Sequence, residues 1–331
     1  MEDREDNSSF AHVLRKVLFA ALVLILSVAV GVTAYTEYML GKIGRESDSI
    51  LQPLQTETTE QSNLAATEIS ELACQTDTLN ILLIGQDRRP GQSKNARSDA
   101  MILCTVNQRA KSVTLISFMR DMYVQIPGKN SNRINAAYAI GGTKLLAQCI
   151  EENFGVDIDG SVVVDFAAFT DAIDLAGGVN VELTEKEAAY LNSVVYKDQP
   201  QWNTDLQAGI NQLDGNQALA YARIRKISGN DFGRTERQRK VLSALLNKVA
   251  KLTLPEIHKL MKDVLGQVST DLTSRQIITY GLQLLPAIRN YQIKTQQIPA
   301  KGTYRDQRID GMQVLVPDLD KNRELLNDIM A

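Results

Sequence analysis

LNILLIGQDRRPGQSKNARSDAMILCTVNQRAKSVTLISF, residues 79 to 118, decides the fold. Three apolar runs of strand length stand in it: LNILLIGQD (79–87), AMILCTVN (100–107) and KSVTLISF (111–118). Only a short polar turn at 108–110 separates the second run from the third, which predicts an antiparallel hairpin. If the first run pairs antiparallel with the second across the loop 86–99, the end of strand one, the start of strand two and the end of strand three share one edge of the sheet. Asp87, Arg97, Asp99, Arg120 and Asp121 are the residues delivered there.

Outward from this block, helix and strand patterns alternate. INAAYAIGGTKLLAQCIEENFG (134–155) is helical in its later part, SVVVDF (161–166) is a strand, FAAFTDAIDLAGG (166–178) a helix ended by glycines, and VNVEL (179–183) a strand. LDGNQALAYAR (213–223) is helical, a glycine-containing break is expected at 229–233, and RTERQRKVLSALLNKVAKL (234–252) is a second helix. Helices at 256–266, 274–288 and 318–329 and strands at 291–298 and 312–316 complete the chain. The class is α/β: a mixed central sheet flanked by helices in an α-β-α layered arrangement.

Before that domain, residues 17–34 read VLFAALVLILSVAVGVTA, and no charge intervenes between Lys16 and Glu37. The span suits a single transmembrane helix; a signal peptide is the rival reading, but the apolar run is longer than a usual signal core. Arg15 and Lys16 at its start put the N-terminus in the cytoplasm. The expected organisation is a cytoplasmic tail (1–16), an anchor (17–36), a polar extracytoplasmic stalk (37–78) and a catalytic domain (79–331). Of the three cysteines, Cys104 in the apolar run MILCTV and Cys149 in a helix-like stretch read as buried free thiols, with a bridge between them also possible. His12 and His258 are the only histidines, and His12 precedes the anchor, so neither a histidine triad nor a histidine-rich metal site is available.

Charge narrows the chemistry further. Seven basic side chains fall between Arg223 and Lys240, in a chain of net charge −3. Alone, such a segment is usually solvated or binds nucleic acid or lipid headgroups, and paired aspartates near strand ends usually serve turns or caps. Together they are more specific, because two carboxylates can hold a hard cation while arginines grip the same ligand's phosphate oxygens bidentately. A pyrophosphate fits both. Arg223 and Arg225, two apart, would point the same way from an extended stretch, with Ile224 toward the core. Arg234, Gln238 and Val241 share a face of the following helix, whose N-terminus favours an anion. Lys226, Arg237, Arg239 and Lys240 read as solvated charges or membrane-surface contacts.

NILLIGQD, ARSDAMIL, LISFMRD, INAAYAIGG, YARIR and DFGRTERQR, in this order, resemble the motifs of the LytR-CpsA-Psr family of cell-wall polymer ligases over roughly residues 79 to 330. The resemblance implies transfer of a glycopolymer, such as a teichoic acid or capsule, from a polyprenyl-pyrophosphate carrier to peptidoglycan at the membrane of a Gram-positive-type envelope. It implies Mg²⁺ on Asp87 and Asp99, and pyrophosphate on Arg97, Arg120, Arg223, Arg225, Arg234 and Gln238. Asp231 would organise the helix start, and Asp99, Arg120 and Asp121 would be catalytic, with either aspartate open as the proton acceptor. Many relatives have proline before the Arg-Asp pair where this chain has Met119. The lipid would need an apolar tunnel, for which helix 166–176 and the run 241–249 are candidates. The alternatives are a pyrophosphatase using water, a carrier-binding module, and a membrane-linked transcriptional regulator; the last needs the arginines in the cytoplasm, so no nucleic acid is expected.

Overall fold

The computed structural model describes residues 44–45, 77–86, 98–194, 205–225, 227, 230–264 and 267–331. All belong to the compact unit Gly44–Ala331. The expected anchor, most of the stalk, Cys74, Asp87, Arg97 and Lys226 lie outside the described residues. No helix among the described residues is long and apolar enough to cross a membrane.

The three opening runs form β2 (Thr78–Gln86), β3 (Ser98–Asn107) and β4 (Ser112–Phe118), after a two-residue β1 (Gly44–Arg45). β3 pairs antiparallel with both neighbours, as the short turn requires. Among the described residues the main sheet has seven strands in the order β1-β10-β7-β2-β3-β4-β11, with β7 (Gly160–Asp165), β10 (Val268–Thr270) and β11 (Gln292–Ile298). β7 runs parallel to β2 and β11 parallel to β4, so the sheet is mixed.

Alternation along the central strands builds two cores. Leu82, Ile84, Met101, Leu103, Ile116 and Phe118 face one side, where they pack with α1 (Ile134–Phe154). Ile102, Cys104, Val113 and Leu115 face the other, against residues of α5 (Asn230–Val249) and α7 (Ser274–Asn290). Each such side chain contributes about 1.5–3 kcal/mol when fully buried, which fixes the strand register because a one-residue slip would expose the whole set. A third cluster gathers α2 (Phe166–Leu175), β8 (Val179–Leu183), α3 (Glu185–Val194), β9 (Gly209–Leu213) and α4 (Gly215–Ala222), with Val241 of α5. α2 and α4 approach so closely that a Cβ at Gly215 would collide with the backbone of Thr170.

Several boundaries differ from the sequence reading. The helix expected from 234 begins at Asn230, so Asp231, Phe232 and Gly233 lie inside its first turn rather than in a break. α1 starts at Ile134 and is interrupted at Gly141 and Gly142, the latter at φ 63°. α3, β9 and the strand β12 (Tyr304–Ile309) had no counterpart in the sequence reading, while β13 (Met312–Pro317) and α8 (Leu319–Met330) did. Cys104 and Cys149 are free and buried, and burial pushes both thiols up to about 12.

Candidate active site

Strand direction brings the end of β2, the start of β3 and the end of β4 together at one end of the sheet. Gly85 pairs with Ala100 but Gln86 pairs with Ser98, so Asp99 is the extra residue of a β-bulge. Bulges bend the strand and re-aim side chains, and they concentrate next to active sites. The residue after Gln86 in sequence is Asp87.

Behind the bulge the sheet and helices enclose a cavity of about 290 Å³. Its wall on the sheet side includes Leu83, Gly85, Ala100 and Ile102, and on the helix side Phe166, Ala168 and Phe169 of α2, Leu219 and Ala222 of α4, and Leu242 and Leu245 of α5. Small residues open it: a Cβ on Gly85 would come within 3.0 Å of the Ala100 Cβ. Both stretches named from sequence as tunnel walls line it. Arg223, Gln238 and Asp165, whose carboxylate accepts from the Ala168 N–H at the start of α2, are the polar residues of this otherwise apolar wall. The exposed Arg223 guanidinium lies 4.8 Å from the centroid of the Phe166 ring, a cation–π contact that limits where it can point.

Arg223 and Arg225 are exposed and Ile224 between them is buried, the alternation expected. The backbone is not extended throughout, however: Arg223 caps α4 in an αR conformation (φ −100°, ψ −3°), because the helical hydrogen bonding continues through its N–H. Arg120 follows β4, and both its Nε and Nη2 donate to Asp231 Oδ2, at 3.2 and 2.9 Å. Arg234 Nη2 lies 3.6 Å from the other oxygen of Asp231. Asp121 lies 3.6 Å from Arg120 Nε and 3.5 Å from Arg133 Nε. Asp231 therefore ties the end of β4 to the first turn of α5.

The two carboxyls of this cluster titrate in opposite directions. Burial, then a hydrogen bond to Asp231, raises Asp121, and Arg120 and Arg133 do not offset them. Burial also works against Asp231, but Arg234, the bond from Asp121 and Arg120 outweigh it and hold Asp231 below the usual carboxylate range. Within the pair the proton is favoured on Asp121 and the charge on Asp231.

Two residues read as solvated are not. Arg237 is 3% exposed and Arg239 7%. Arg237 Nε donates to Glu187 at 2.7 Å and its Nη1 to the Ile224 carbonyl at 3.2 Å. Arg239 is buried, and its Nε and Nη1 have no hydrogen-bond partner among the described residues. Helix α5 packs on more than one side, so flanks that a single-faced helix would leave in water are covered. Lys240 remains exposed and pairs with Glu236. Arg133, Phe166 and Glu187 were not singled out from sequence; only Glu187 carried a signal, the Thr184-x-x-Glu187 capping box that its hydrogen bonds to Thr184 complete.

The LytR_cpsA_psr family model matches residues 38–330. The chain belongs to the LytR-CpsA-Psr family. Among its relatives, polyisoprenyl-teichoic acid--peptidoglycan teichoic acid transferase TagU of Oceanobacillus iheyensis is 32% identical over 311 residues, covering 91% of this chain and 89% of that protein. The enzyme of the same description named TagT, from Bacillus subtilis, is 33% identical over 273 residues and 81% of each chain. The solved structure described as TagT bound to LIIa-WTA is 30% identical, with a TM-score of 0.63 over 77% of this LytR-CpsA-Psr chain and 91% of that one.

Proposed function

We propose that the chain is a phosphotransferase that moves a glycopolymer from a polyprenyl-pyrophosphate carrier to peptidoglycan. The observation that carries this reading is the apolar cavity with Arg223 and Gln238 in its wall, opening beside the bulged end of the sheet. Such a hollow suits a prenyl chain, and guanidinium groups at its rim suit the pyrophosphate that the chain carries. The names of the relatives favour a teichoic acid as the polymer.

In this reading Arg97, Arg120, Arg223, Arg225, Arg234 and Gln238 hold the pyrophosphate. Asp87 and Asp99 are hard oxygen donors, a set that fits Mg²⁺, and the bulge brings Asp99 to the strand end that precedes Asp87. The cation, when bound, neutralises phosphate oxygens. A sugar hydroxyl of peptidoglycan attacks the phosphorus bearing the glycan; the new P–O bond forms as the bridging P–O bond breaks, and polyprenyl phosphate leaves. Positioning and charge neutralisation supply most of such catalysis, so the arginines matter more than any nucleophile on the protein. Asp99 or Asp121 takes the hydroxyl proton, each standing at the same end of the sheet as the arginines. The same reading keeps residues 1–16 as a tail, 17–36 as an anchor and 37–78 as a stalk, with the domain from 79 to 331 outside the membrane.

The test is incubation of the full chain with a synthetic polyprenyl-pyrophosphate glycan, peptidoglycan and Mg²⁺. Glycan joined to peptidoglycan through a phosphodiester, with equimolar polyprenyl phosphate, is the expected product. Hydrolysis to a free glycan phosphate with no acceptor labelled would assign a pyrophosphatase instead.

A further inference from the structure

Glu187 and Arg237 form an ion pair buried within the cluster around α2, α3 and α4, far in sequence from the sheet end. Glu187 is 6% exposed and accepts from the Thr184 N–H and hydroxyl at 3.0 and 2.9 Å, besides Arg237. A buried ion pair is a poor device for stability, since well-packed apolar residues of the same volume usually do as well or better. What this pair supplies that apolar residues cannot is a hydrogen-bond donor to the carbonyl of Ile224. That carbonyl lies just past the end of α4, between Arg223 and Arg225, in a stretch that leaves the helix. The Ile224 side chain is fully buried and its N–H donates to Tyr221 O at 3.2 Å. Residue 224 is thereby held by its side chain, its N–H and its carbonyl, while the two guanidiniums flanking it stay exposed.

We propose that Glu187 and Arg237 are positioning residues, which fix the backbone at Ile224 so that Arg223 and Arg225 are presented together to the pyrophosphate. The proposal rests on the functional reading above. Glu187 orients Arg237, Arg237 holds the carbonyl, and neither touches the ligand. Without that hold, the two arginines would have to be ordered on binding, and the affinity would bear the entropy of ordering them.

Two changes to the full chain in detergent test this, with inorganic pyrophosphate as the calorimetric probe. Arg237→Lys keeps the charge beside Glu187 but loses the forked second donor to Ile224; the pair Glu187→Leu with Arg237→Met restores apolar packing and removes the donor altogether. Each is expected to weaken pyrophosphate binding about tenfold, the size of effect seen for groups that orient ligating residues, with the melting temperature of the paired change near wild type. Should the paired change fail to fold, Arg237→Lys decides alone. In an Arg223→Ala, Arg225→Ala background, Arg237→Lys should have no further effect on binding, because nothing remains to be positioned. Wild-type affinity in a folded variant, or an undiminished loss in that background, overturns the proposal while leaving the functional reading in place. A wild-type chain that neither binds pyrophosphate nor transfers glycan overturns both.

Discussion

Asp121 and Asp231 show how one residue type takes opposite roles a few ångströms apart. Asp231 has a folded-state value below that of the unfolded chain, so its stabilisation is present above about pH 3.9 and is lost as pH falls through the folded value. Asp121 is raised, so the stability gained from its neutral form is complete below about pH 3.9 and is lost as pH rises through its folded value. Asp231→Asn should therefore cost about 1.5–3 kcal/mol at neutral pH, the worth of hydrogen bonds to charged groups, because Arg120 and Arg234 lose their counter-charge. Asp121→Asn, which can still donate to Asp231, should cost less at pH 7, and urea titrations across pH 3 to 8 would separate the two. Arg239 invites a different expectation. Burial disfavours its charge, Glu236 works against that, and among the described residues two of its nitrogens have no partner. Arg239→Met should leave stability unchanged or raise it by about 1 kcal/mol, read from the urea midpoint; a loss above about 2 kcal/mol would mean the guanidinium is satisfied in solution.

At the scale of elements, the walls of the cavity come from runs that were legible before any coordinates. β2, β3 and β4 announce themselves because each apolar face meets a core on both sides of the sheet, leaving uninterrupted runs. β12 did not, since YRDQRI is mostly exposed and, among the described strands, pairs with β13 alone, so no apolar alternation marks it. α3 was hidden by a polar sequence, although its capping box was readable. The start of α5 was misread because Gly233 suggests a break, whereas the Asp231 bonds to Arg120 carry the helix through it. The bulge at Asp99 and the Arg120–Asp231 tie join residues 111 apart in the second case, which no local pattern encodes. The cavity itself can be probed at one element: Leu242→Trp on α5 should fill it. Prenyl lipid co-purifying with the wild-type chain, seen by mass spectrometry, should be absent from that variant while its melting temperature stays within a few degrees.

For the whole molecule, the outermost strands of the main sheet differ in kind from the central ones. One side ends in β1 and β10, two and three residues long. On the other, β11 carries the exposed Lys294 among glutamines and is parallel to β4, with its outer hydrogen-bonding groups unpaired by any described strand. Short outer strands and a lysine on an outer strand both discourage a second chain from adding itself to the sheet. Lys294→Val should therefore promote self-association as concentration rises, visible as a growing mass in light scattering behind size exclusion; an unchanged mass would show that Lys294 has no such part. Under the proposed anchoring, copies of the chain would meet at high local density, and a sheet that terminates in this way disfavours their joining edge to edge into a fibril.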